Sequence, residues 1–162
     1  MPWKWRLLLT SMFVAPVIFL AGEAEAQKPT EDNSCVQCHQ GLGDPRVTPP
    51  AEKFAQDIHM AKGILCHGCH GGDPTNFDPQ QSMSRAKKFI GKPTHQAIPT
   101  LCGKCHSDAD YMKRFNPALR VDQVQEYFTS VHGKLLKKGD QKVATCISCH
   151  DVHSIRAIKE QQ

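Results

Sequence analysis

The stretch Cys146-Ile147-Ser148-Cys149-His150 decides how this chain is read. Two cysteines separated by two residues can place their sulfurs on the two vinyl groups of one haem, while the histidine that follows reaches the iron as axial ligand. Working outward from it, three copies precede it: Cys35-Val36-Gln37-Cys38-His39, Cys66-His67-Gly68-Cys69-His70 and Cys102-Gly103-Lys104-Cys105-His106. All eight cysteines are thereby used. Paired cysteines at this spacing also build zinc ribbons, dithiol redox sites and disulfides, but none of those needs histidine in the fifth position. Histidine is 9 of 162 residues, so four such coincidences have a chance probability of roughly 10⁻⁵ from composition alone. No thioredoxin-like βαβ pattern surrounds any pair. The reading is four covalent haem c groups, with His39, His70, His106 and His150 as proximal iron ligands.

These motifs resemble those of the multihaem c-type cytochromes, and the resemblance covers essentially the whole mature chain. Residues 1–26 have a short basic start (Lys4, Arg6), an apolar run from Leu7 to Ala21 and the small-residue triplet Ala24-Glu25-Ala26, the pattern of a secretory leader cleaved after Ala26. About 15 apolar residues interrupted by Pro16 are short against the roughly 20 that span a bilayer, so an anchor helix is the alternative reading. Haem attachment of this kind follows export, and leader and motif together point to the periplasm.

The mature chain, 27–162, has 136 residues, enough for one domain. Only 30 of them are Val, Leu, Ile, Met, Phe or Tyr, and both tryptophans leave with the leader. So little apolar matter ordinarily leaves a chain disordered. Four macrocycles supply the missing apolar surface, so the expectation is a small, mainly α single domain with extensive irregular loops and a haem-dominated core.

Aligning the motifs as pairs reveals an internal repeat of two dihaem halves, about 35–70 and 102–153, with 71–101 as linker. Each half reads attachment motif, linker, helix with one histidine, attachment motif. Phe54-Ala55-Gln56-Asp57-Ile58-His59 in the first corresponds to Tyr127-Phe128-Thr129-Ser130-Val131-His132 in the second. Val121, Val124, Phe128, Val131 and Leu135 recur at spacings of three and four, which predicts one helix with an apolar stripe, Asp122 as N-cap and Gly139 as stop. A shorter helix is expected over 51–62, ended by Gly63, a third over 80–90, and a fourth capped by Ser107 with Asp110 and reaching Phe115. No strand alternation is evident.

A closed electron-transfer haem needs a second axial ligand. Five histidines are left for four places. His59 and His132 occupy matching positions in the two halves. His153 lies three residues beyond His150, too near to serve the same haem, so it serves another; His95, in the loop between the halves, is the fourth. His67 lies inside an attachment motif and is read as a bystander, and Met60, Met83 and Met112 are alternative sulfur ligands.

Short apolar content, paired motifs and spare histidines are similar to the class III tetrahaem cytochromes, whose bis-histidine haems pass electrons along a chain. Ser130-Val131-His132 and Ala144-Thr145-Cys146 followed by His150 also resemble the membrane-anchored tetrahaem quinol dehydrogenases, although this chain departs from them at its amino end. The resemblance implies low-potential periplasmic electron transfer in respiratory or anaerobic metabolism, with no catalytic residues. It also implies redox partners such as a membrane quinol dehydrogenase, a terminal reductase or other cytochromes. The alternatives are a quinol-oxidising cytochrome anchored by a retained leader, and a catalytic reductase subunit with one open haem. The formal charge of +4 is offset by haem propionates, about minus eight in total against about plus four from ferric irons. Nothing in the charge pattern argues for nucleic acid.

Overall fold

Proline and glycine cut this chain into short pieces, and the fold is assembled from capped single and double turns. The structure is a computed structural model that describes residues 33–157, so the leader assigned to 1–26 lies outside the described residues. The helices are α1 Ser34–Gly41, α2 Thr48–Lys53, α3 Ile58–Ala61, α4 Cys66–His70, α5 Pro79–Ser82, α6 Ile98–His106, α7 Ala109–Lys113, α8 Gln123–Thr129, α9 Val131–Lys137 and α10 Cys146–His150, with 3-10 turns at Phe54–Gln56, Arg85–Lys87 and His95–Ala97. The described chain is a small, mainly α-helical domain with irregular loops and no strand among the described residues. Helices this short are marginal alone, since nucleation costs more than a few turns return. Side-chain caps compensate. Asn33 accepts the N–H groups of Cys35 (3.0 Å) and Val36 (3.3 Å), and Asp108 accepts that of Tyr111 (2.9 Å).

The structure corrects four helix boundaries. The helix expected over 51–62 starts earlier, at Thr48, and is interrupted at Asp57, whose extended backbone (φ −80, ψ 137) ends the 3-10 turn and caps α3. The helix expected from Val121 to Leu135 breaks at Ser130 (φ −70, ψ 167), which caps α9 by accepting the Gly133 N–H. Asp122 does hold the N-cap position of α8, but its carboxylate is engaged by Arg120 and makes no cap bond. The break rotates the two halves of the apolar stripe apart. Val131 is 70% exposed and Leu135 37%, while Gly133 and Leu136 take the buried face of α9. Over 80–90 only α5 and the Arg85–Lys87 turn form, because Ser84 is extended and its hydroxyl accepts the Lys87 N–H. The fourth helix is α7, and its cap is Asp108, one residue beyond the expected Ser107.

The protein core is thin: Val36, Phe54, Ile98, Met112, Leu136 and Val143, with Pro99 fully enclosed. Helix α6 sits at its centre, against α7, α8 and α10. Tyr127 of α8 donates its hydroxyl to the Ala144 carbonyl (2.9 Å), fixing the entry to α10. After α10 the chain runs back over the first half, where Ile58 N–H donates to the Ile155 carbonyl (2.8 Å) and Ile155 N–H to the Asp57 carboxylate (2.9 Å). Among the described residues no helix is long and apolar enough to cross a membrane.

Candidate haem centres

Each of the four attachment motifs lies on a helix: α1, α4, the end of α6, and α10. Helical geometry puts positions i, i+3 and i+4 on one face, so both sulfurs and the imidazole of each motif share a side. All eight cysteines are free thiols. Among the described residues no three His, Cys, Asp or Glu side chains converge on one point as a structural zinc site requires.

Thiols of successive motifs lie within electrostatic reach of one another. Burial, followed by the nearby Cys35, pushes the Cys66 thiol up to about 11. Burial likewise raises Cys69, with Cys105 as its next neighbour. Cys102 is raised because it donates its S–H to Cys146, which is lowered in turn. The second motif therefore lies within electrostatic reach of the first and the third, and the third packs on the fourth through α6 and α10.

The histidines sort into those with a ring nitrogen prepared for a metal and those without. His59 Nδ1 is 2.9 Å from the Asp57 carboxylate, which also accepts the His59 backbone N–H at 2.8 Å. His70 Nδ1 donates to the Gly91 carbonyl at 2.9 Å. In both, anchoring Nδ1 leaves Nε2 for a metal, the usual arrangement of ligating imidazoles. The His59 ring faces that of His106, with centres 6.0 Å apart and planes at 89°. The His153 ring faces that of His70, with centres 6.0 Å apart and planes at 20°. Burial, then the facing imidazole, lowers the pKa of both His106 and His153, holding them in the neutral form that metals bind.

The remaining positions differ. His95 Nε2 donates to the Val143 carbonyl at 2.8 Å, so that nitrogen is taken in this arrangement. His132 and His67 are exposed, His39 is half-buried, and His150 opens on a cleft of about 1060 Å³ lined by Lys53, Gln56, Cys149, Asp151, Ser154 and Arg156. That volume accommodates a group the size of a macrocycle, since drug-sized ligands occupy roughly 300–1,000 Å³. Met112 is buried in the core and Met83 is exposed. Sequence reasoning missed Asp57. The signal was an oxygen-bearing residue two places before each matching histidine, Asp57 before His59 and Ser130 before His132.

No family model matches the chain, and no solved structure matches it. A curated protein does. Over 84 residues, 47% of this chain, it is 40% identical to the C-type polyheme cytochrome OmcC of Geobacter sulfurreducens. The chain is thus similar to a polyhaem c-type cytochrome. The match spans 10% of that relative's length.

Proposed function

We propose that the chain is an exported tetrahaem cytochrome c that moves electrons between redox partners and catalyses no reaction of its own. The observation that carries this reading is that four Cys-x-x-Cys-His motifs each occupy a helical turn, which puts both thiols and the histidine of each motif on one face. When bound, each haem supplies one reversible electron-transfer centre. The protein's contributions follow from its residues. Cys35 and Cys38, Cys66 and Cys69, Cys102 and Cys105, and Cys146 and Cys149 hold the macrocycles. His39, His70, His106 and His150 take one axial position each, and His59, His95, His132 and His153 are the assigned candidates for the other. Two imidazoles favour the ferric state relative to a His/Met pair, which sets low potentials. The thin core fits the same reading, because macrocycles would contribute the apolar surface that the six buried hydrophobic side chains among the described residues do not.

The partners are expected to be a quinol dehydrogenase, a terminal reductase or other cytochromes, and the location the periplasm, reached through cleavage after Ala26. Intact mass of the exported protein tests the reading directly. Four covalent haem additions on a chain beginning at Gln27 are expected; a zinc-loaded or disulfide-bonded apoprotein excludes the haem assignment, and a retained leader excludes the free periplasmic form.

A further inference from the structure

We infer that His59 is the sixth ligand opposite His106 and His153 the sixth ligand opposite His70, so that each half of the chain completes a haem held by the other. The inference rests on the tetrahaem reading above and goes on to assign specific ligands to specific irons. Two imidazoles on opposite sides of one metal, each bonded through a nitrogen at about 2.0 Å with its ring centre ~1.1 Å further out, have centres about 6.2 Å apart. Both pairs stand at 6.0 Å. For the 20° pair that spacing is too wide for face-to-face contact, since carbon atoms meet at about 3.5–4.0 Å.

The backbone is built to hold these positions. Asp57 is 3% exposed and divides its carboxylate between the two distal ligands. One oxygen fixes the His59 ring and backbone, and the other takes the Ile155 N–H in the segment that carries His153. His153 itself has φ 61 and Asp151 φ 64, a positive-φ backbone uncommon for residues other than glycine. The Ile58 N–H bond to Ile155 locks the two segments in register. Asp57 is thus a positioning residue for both pairs.

The ring planes supply the test. In ferric bis-imidazole haems, perpendicular planes give a highly anisotropic low-spin electron paramagnetic resonance signal with one very large g value, whereas parallel planes give an ordinary rhombic signal. The ferric holoprotein is therefore expected to show both. His59→Ala should convert one haem in four to high spin and remove one equivalent of the large-g signal. His153→Ala should remove one equivalent of the rhombic signal instead, and added imidazole should restore low spin in each variant. Cys102→Ala/Cys105→Ala should delete the same large-g equivalent that His59→Ala removes. Should that variant or His59→Ala fail to accumulate, His59→Met keeps the iron six-coordinate. It should then raise one potential, and its ligand methyl should show nuclear Overhauser contacts in the reduced protein to the haem on Cys102 and Cys105. Four unchanged low-spin haems in either alanine variant, exchanged signal types, or contacts to a different haem overturn the pairing. Haem count by mass is read first: fewer than four haems fails the tetrahaem reading, whereas four haems with these negative spectra fail only the pairing.

Discussion

At the scale of single residues the most consequential side chain is Asp57, a buried carboxylate with three hydrogen-bond donors and no lysine or arginine among them. Burial pushes its pKa up, but the His59 ring, the Ile155 N–H and the His59 N–H together hold it below the ordinary value of 3.8. The folded pKa is therefore the lower one. Its contribution to stability is complete above the unfolded value and is lost as pH falls through the folded value, in the window beneath about 3.8. Acid titration of the holoprotein followed by circular dichroism should show this step, and Asp57→Asn should remove it. Asp57→Ala strands the donors and should cost about 3 kcal/mol in denaturant unfolding, given roughly 1–3 kcal/mol for an unsatisfied buried group. Because the carboxylate makes the His59 imidazole a stronger donor to iron, Asp57→Asn should also raise the potential of a single haem in a spectroelectrochemical titration.

Helices and their junctions are where sequence and structure part company. The four Cys-x-x-Cys-His motifs stand in contiguous residues and can be read without knowledge of the fold, whereas their placement on α1, α4, α6 and α10 came from the structure. The matching of Asp57-Ile58-His59 with Ser130-Val131-His132 was half legible: the aliphatic residue and the histidine stood out, while the cap before them did not. Periodicity carried through Ser130 because one extended residue between two helices barely disturbs a count of threes and fours. Hydrogen-bonding competition from a serine side chain leaves no trace in an apolar pattern. Ser130→Ala should therefore destabilise by about 1 kcal/mol, the usual worth of an N-cap, measured as a shift in the urea midpoint. Gly133 makes the same junction tight. A methyl there would fall on the Tyr127 carbonyl and the Phe128 Cα, so Gly133→Ala should cost roughly 1–3 kcal/mol as overpacking and should do so even with Ser130 intact.

Across the whole molecule, six buried hydrophobic side chains and Pro99 are too few to hold 125 described residues together. Replacing the eight cysteines by alanine should leave a largely unfolded chain, as removal of metal does in small metal domains, and circular dichroism would register the loss of helix. In the loaded protein, redox titration should give uniformly low potentials spread wider than a single one-electron wave, because closely spaced centres repel one another's charge. Carbon monoxide should leave the reduced spectrum unchanged; binding to one haem in four would identify the iron that lacks its histidine, with the one assigned to His95 the first to examine. The return of residues 151–157 over the first half has a consequence in time as well as in space. His153 follows His70 by some eighty residues, so on the pairing proposed above a haem on Cys66 and Cys69 would stay five-coordinate, and open to diatomic gases, until residues 151–157 have folded back over the first half.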